Sequence, residues 1–140
     1  MILKQVLQQR IAMKECEQIY ALDFAGHGVW NWNAQTNEVF FSNQWKAMLG
    51  YAPEDIDNNV EEWSSRVHPD DFNQCLNELA ALFSGEVERY RNEHRMLCKD
   101  GTYKWILDQG SIIERNAKGT PLRILGTHTD IDHLRCALEK

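Results

Sequence analysis

Glu93-His94-Arg95-Met96-Leu97-Cys98-Lys99-Asp100-Gly101-Thr102-Tyr103-Lys104-Trp105 decides the fold of this chain. The stretch reads as a β-hairpin. Asp100-Gly101 supplies the turn, because glycine tolerates φ > 0 and aspartate can bond its own backbone. Before the turn, charged residues alternate with apolar ones. After it, Tyr103-Lys104-Trp105-Ile106-Leu107 carries the aromatic and branched side chains that suit a pleated surface.

C-terminal to the hairpin, strands are expected to run to about residue 115 and from 121 to 131, joined by the polar turn Asn116-Ala117-Lys118-Gly119. N-terminal to it lies the longest internal helix. His68-Pro69-Asp70-Asp71 opens that helix, with Pro at a favoured first position and two acids complementing the dipole. Phe72, Cys75, Leu76, Leu79, Leu82 and Phe83 form its expected buried stripe, and Gly85 stops it. Short helical turns are read at Pro53–Ile56 and at Glu61-Glu62-Trp63. Another short helix, capped by Ser42 or Asn43, buries Trp45, Met48 and Leu49. Two further strands, Val29–Asn33 and Glu38–Ser42, flank a turn at Gln35-Thr36-Asn37. Strands on both sides of a helical block, joined by hairpins, indicate an α+β domain with an antiparallel sheet.

Residues 2–24 read as a helix whose Ile2, Val6, Met13, Cys16 and Tyr20 recur at three- and four-residue steps. Two readings of that seam stand together: a helix packed on its own domain, and the end of a coiled coil that makes a homodimer. The tail from His133 to Lys140 has a helical composition without a stop signal, so the chain is expected to continue into a further domain.

Composition narrows the function classes. A chain of 140 residues with 43% hydrophobic content and five Trp has the material for one core. A net charge of −6 disfavours nucleic acid as the main partner. No apolar run is long enough to enter and cross a bilayer, and no secretory signal opens the chain. Cys16, Cys75, Cys98 and Cys136 are scattered, which reads as reduced cytoplasmic thiols, with neither a disulfide frame nor a metal site expected. No catalytic constellation is visible: the serines sit in no nucleophile elbow, and there is no glycine-rich phosphate loop.

Four ordered pieces carry a resemblance. They are Gly28-Val29-Trp30-Asn31-Trp32-Asn33; Trp45-Lys46-Ala47-Met48-Leu49-Gly50-Tyr51 with Pro53-Glu54-Asp55-Ile56; His68-Pro69-Asp70-Asp71; and the hairpin with Gly126-Thr127-His128-Thr129-Asp130-Ile131-Asp132. Together they resemble a PAS sensory domain with its C-terminal PAC motif, with His94 standing where the hairpin pattern usually has Tyr. The resemblance implies a five-stranded antiparallel sheet with short helices on one face. It divides the chain into a linker helix at 1–25, the PAS domain at 26–132 and the start of a second linker helix at 133–140.

It also implies a function. The domain is expected to sense a small ligand and relay the signal through its flanking helices to a covalently linked output domain, such as a diguanylate cyclase or histidine kinase. The alternative is a dimerisation scaffold that senses nothing. In either case this chain itself is not expected to be an enzyme. The cofactor stays open, with two forms disfavoured. The covalent-flavin class needs a cysteine after the Pro-Glu-Asp-Ile turn, and residues 57–67 contain none. The haem class that uses a histidine of the long helix finds none between Phe72 and Phe83.

Alignment with the family places His94, Met96, Ile106, Asp108, Gly110 and His128 on the inner face of the sheet, with Trp30 and Trp32. The candidate ligand site is therefore His94, Met96, Asp108, His128, Trp30 and Trp32, suited to a small polar metabolite. Buried polar groups need partners, so an internal hydrogen-bond network is the other reading of the same residues. Leu97, Trp105 and Leu107 face outward and, with Ile2, Val6, Met13 and Tyr20, form the expected surface for helix docking and dimerisation.

Overall fold

A computed structural model describes the backbone of residues 2–138, and the side chains of all of these except 11–16, 19, 20 and 136–138. Met13, Cys16 and Tyr20 of the helical seam, and Cys136, therefore lie outside the described side chains. One antiparallel sheet carries the strands β1 (Gly28–Asn33), β2 (Val39–Phe41), β3 (Tyr90–Leu97), β4 (Tyr103–Arg115) and β5 (Pro121–Asp130), in the order β2-β1-β5-β4-β3. The helices are α1 (Ile2–Phe24), α2 (Asn43–Ala47), α3 (Glu61–Ser64), α4 (Pro69–Ser84) and α5 (Asp132–Leu138), with a single 3-10 turn at Pro53–Asp55.

The hairpin forms as its residues dictate. Leu97 pairs with Tyr103, Gly101 takes φ 89°, and the Thr102 N–H donates to Asp100 Oδ1 at 2.9 Å. On β3, Tyr90, Asn92, His94 and Met96 are buried while the residues between them are wetter, the period-two signature of one covered face. The outer edge of β3 is covered by the segment before α4: Leu97 N–H donates to Arg66 O at 2.8 Å and His68 N–H to Arg95 O at 2.9 Å. The core lies between the sheet and α2–α4. Trp45, Cys75 and Leu82 from the helices and Leu49 from the turn after α2 meet Tyr90, Met96, Ile106 and Ile124 from the strands.

The long helix begins at Pro69, where His68 Nδ1 accepts the Asp70 N–H at 3.0 Å. It ends at Gly85, whose φ of 84° is the left-handed conformation that closes a helix. Two expectations for it need correction. Leu76 is 45% exposed, because it follows the buried Cys75 by one residue and so points about 100° away. Asp71 does more than complement a dipole. Its carboxylate accepts from the Arg95 backbone N–H at 2.8 Å, Nε at 3.0 Å and Nη2 at 2.9 Å, which clamps α4 to β3.

The outer face also differs from expectation. Trp105 is half-buried, with the Arg135 guanidinium 3.8 Å from its ring centre and that of Arg95 at 5.1 Å. Its cover therefore comes from α5. Helix α1 runs instead against β1 and α2, tied by the Gln44 N–H to Asp23 Oδ1 at 2.8 Å. Ile2, Leu3, Val6 and Leu7 on α1 are exposed.

Two glycines shape the inner face. Cross-strand register aligns Tyr90, Gly110, Gly126 and Trp30 in one row, and Asn92, Asp108, His128 and Gly28 in the next. The Trp30 indole lies over Gly110 and Gly126. A Cβ at Gly110 would stand 2.6 Å from Trp30 Cη2, and a Cβ at Gly126 would overlap the Trp30 ring and the Gln109 carbonyl. Gly126→Ala should therefore cost about 1–3 kcal/mol by overpacking. Chemical denaturation of the variant checks this, and a change within a few tenths of a kcal/mol would contradict the tight seat of Trp30.

Candidate functional site

Three adjacent strands bring the sequence-predicted polar residues together. His94 (β3), Asp108 (β4) and His128 (β5) all project to the inner face and are 0, 3 and 1% exposed. Asp108 and His128 are direct register partners, and His94 pairs with Ile106, one inward position along. Asp108 Oδ1 accepts the Trp30 Nε1–H at 2.8 Å, and its Oδ2 lies 3.2 Å from His128 Nε2. The His94 and His128 rings meet edge to face with centroids 5.8 Å apart.

Hydrogen-bond direction settles the state of His94. Its Nδ1 lies 2.9 Å from Asn92 Oδ1, and its Nε2 accepts the Trp63 Nε1–H at 3.1 Å. Indole N–H is donor-only, so Nε2 holds the lone pair and the proton sits on Nδ1. Asn92 Oδ1 also accepts from the Cys75 thiol at 3.4 Å, and its amide donates to Glu78 Oε2 at 2.6 Å. A chain of bonds thus runs from His94 to α4, and a second contact runs to α3. Burial pushes the His94 pKa down to about 4; His128 acts in the same sense, and Asp108 and Asp71 oppose it.

His128 is less well satisfied. With Nε2 directed at Asp108, its Nδ1 is buried and has no hydrogen-bond partner among the described residues. The same holds for the Trp45 indole N–H, and the His128 ring lies 5.4 Å from the Trp45 ring. Both residues line a cleft together with Trp30, Trp32, Phe41, Trp63, Tyr90 and Asp108. The walls are mostly aromatic, completed by Val39, Val60 and Leu79, and the polar groups are the Asp108 carboxylate, the His128 imidazole, the Tyr90 hydroxyl and indole N–H groups. The cleft holds about 40 Å³, room for about three waters.

Of the sequence-predicted residues, Trp30, Trp32, Asp108 and His128 line this cleft. His94 stands behind Trp63, and Met96 packs in the core against Val67, away from it. Trp32 sits at the rim, its indole N–H on Asn37 Oδ1 at 3.1 Å. Sequence reasoning missed Asn92 and Tyr90, although counting back by twos from His94 reaches both. It also missed Trp63, for which strand periodicity gives no signal. The Cys75 thiol is pushed up to about 12 by burial, which leaves it inert as a nucleophile.

The chain matches the family described as PAS fold over residues 38–128. It belongs to that family. PAS domains are sensory, non-catalytic modules. Among known proteins, it is similar to the methyl sulfide methyltransferase-associated sensor of Methanosarcina acetivorans, 29% identical over 79% of this chain and 11% of that protein. It is also similar to the probable diguanylate cyclase DgcE of Escherichia coli, 31% identical over 62% of this chain and 8% of that protein. The chain therefore spans about a tenth of the length of these relatives. A solved structure of a sensory box histidine kinase/response regulator from Burkholderia thailandensis aligns with a TM-score of 0.75 and 27% identity, covering 86% of this chain and 88% of that one. No helix among the described residues is long and apolar enough to cross a membrane.

The buried neutral imidazole makes this PAS domain acid-sensitive. An unfolded chain titrates His near 6.5, above the folded value of about 4 for His94. Between those values the unfolded state binds more protons, so stability is intact above about pH 6.5 and falls as pH drops toward 4, by roughly 2–3 kcal/mol. Asp71 behaves differently. Arg95 lowers its pKa, so its contribution persists until the pH falls below the ordinary carboxylate range. Melting temperatures across pH 4–7 should show the His94 loss, and a flat profile there would contradict it.

Proposed function

We propose that this PAS domain is the sensory module of a cytoplasmic signalling protein. It reads a small polar ligand at His94, Asp108 and His128 and relays the change through α1 and α5 to an output domain such as a diguanylate cyclase or histidine kinase. The observation that carries the reading is the unpartnered His128 Nδ1, buried beside a cleft whose other polar wall is the Asp108 carboxylate. Leaving such an acceptor unpaired costs about 1–3 kcal/mol, which a ligand with a donor or Lewis-acid group recovers.

Chain connectivity supports the relay. Helix α1 leads directly into β1, which carries Trp30, and β5, which carries His128, leads directly into α5. On this reading residues 1–25 and 133–140 are linkers around a sensor at 26–132, and the chain performs no catalysis itself. The unpaired, buried Cys75 and Cys98 suit a reducing compartment. The exposed Ile2, Leu3, Val6 and Leu7 suit a homodimer paired through α1.

The small volume of the cleft favours a second reading, a dimerisation scaffold without a ligand. Mass spectrometry and an absorption spectrum of the natively purified chain separate the two. The sensory reading expects a bound small species, and a thermal stabilisation by it that His128→Gln removes while circular dichroism stays native. The scaffold reading is supported instead by an empty chain whose dimer mass in light scattering falls when residues 1–22 are deleted. A chain that is both empty and monomeric at high concentration sinks both readings.

A further inference from the structure

We infer that the ligand of the His94–Asp108–His128 cluster is a first-row divalent transition-metal ion of the Zn²⁺ or Fe²⁺ kind, bound by two imidazoles and one carboxylate with its remaining positions open. This rests on the ligand-site reading above and names the ligand's class. The first ground is geometric. One ligand atom from each of the three residues lies within 4.8 Å of the others, and the Asp108–His128 pair is already at 3.2 Å. Bonds of about 2.1 Å to a tetrahedral ion need donor atoms about 3.4 Å apart, so the widest pair has to draw in by up to about 1.4 Å. The donors come from three neighbouring strands of one sheet, so they share a rigid frame.

The second ground is that His128 is held by Asp108 alone: its Nδ1 has no partner among the described residues, so the proton on Nε2 can pass to Nδ1 and leave Nε2 free for the ion. The third is His94. Its Nδ1–H is held by Asn92 Oδ1, the outer hydrogen bond that orients a metal-binding imidazole, and its Nε2 lone pair is capped only by the Trp63 indole N–H. An ion taking Nε2 displaces that indole. Size is the fourth ground. The cleft that Asp108 and His128 line holds about 40 Å³ and reaches His94 only when Trp63 moves aside, which leaves room for an ion with one to three waters and too little for a metabolite. Donor chemistry then selects the ion. Two imidazoles with one carboxylate suit Zn²⁺ and Fe²⁺, whereas Mg²⁺ and Ca²⁺ require mainly oxygen. No spacing motif announces such a site, because its donors lie on separate strands, and the scattered cysteines play no part in it.

The test uses the full chain after dialysis against EDTA. Calorimetric titration with Zn²⁺ should show one ion per chain, unaffected by excess Mg²⁺. Zn²⁺ should raise the melting temperature and change the tryptophan fluorescence as Trp63 leaves His94. Co²⁺ should give visible bands distinct from those of the aqua ion. Asp108→Asn and His128→Gln should each weaken binding at least tenfold, and His133→Ala, on exposed α5, should leave it unchanged. If those two variants fail to fold, the cobalt spectrum of the parent chain still decides. Absence of binding by the folded parent, or binding that Asp108→Asn and His128→Gln leave intact, overturns the inference. An organic molecule found in the natively purified, metal-free chain overturns the ion but leaves the ligand site standing. Finding neither overturns both.

Discussion

The hydrogen bond from Trp30 Nε1 to Asp108 Oδ1, 2.8 Å across the inner face of the sheet, is the constraint on which the rest of this interior depends. An indole can lie flat against a sheet only where the strands beneath it present no side chains. Gly110 and Gly126, paired with each other and placed beside Trp30, supply that bare patch. The indole then spans two strands, and its N–H reaches Asp108 in the neighbouring row. One carboxylate oxygen is thereby committed to Trp30, and the other faces His128 Nε2. The imidazole Nδ1 is then left without a hydrogen-bond partner among the described residues. An apolar packing requirement at two glycines thus fixes the polar character of the cleft.

The cluster divides into two halves with different energetics. On the His94 side every hydrogen-bonding direction is complementary. Cys75 S–H and His94 N–H point at one Asn92 oxygen, the Asn92 amide points at Glu78, and the Trp63 N–H points at the His94 lone pair. A fully satisfied buried network rigidifies the structure and specifies one arrangement. Around the cleft that His128 lines, three buried atoms, His128 Nδ1, Trp45 Nε1 and the Tyr90 hydroxyl, go without partners among the described residues. Groups left this way lower stability, and a chain that needed only a scaffold would gain by replacing them with apolar atoms. This asymmetry is what gives the sensory reading its weight against the small size of the cleft.

Local physics made much of this legible in advance. The Asp100-Gly101 turn, the Pro69 start and Gly85 stop of α4, and the period-two burial of β3 each depend on residues within a few positions of one another. Period two put His94 and Met96 on one face, and the resemblance to the family brought Asp108 and His128 to the same side. What stayed hidden involves contacts between elements. Asp71 sits where a dipole partner belongs, and only the docking of α4 on β3 brings it to Arg95. Trp105 reads as an outer-face aromatic awaiting α1, and only the path of the chain after β5 brings Arg135 over it. Trp63 lies on a four-residue helix with no periodicity to read, yet it holds His94. Gly110 and Gly126 were visible as glycines inside strands, which often mark a close approach by another group. Which side chain approached them was not.

Relay from such a site requires an element that has two arrangements and contacts whatever binds. The sheet is poorly suited to this role, because β4 and β5 are held along their length by cross-strand bonds and by the Asp108–His128 pair. The Trp63 indole is better placed. It occupies the one free lone pair of His94, it is half-buried, and it belongs to a helix of a single turn, α3. A ligand that competes for that lone pair therefore binds better when α3 has moved, which is the differential affinity a switch needs. The route outward is also short. Ile131 N–H donates to Trp105 O at 3.1 Å and Trp105 N–H to Asp132 Oδ1 at 3.1 Å, so the start of α5 is bonded to the strand that carries Asp108. A change at Asp108 and His128 is therefore no more than a few residues, on either strand, from the helix that leaves the domain.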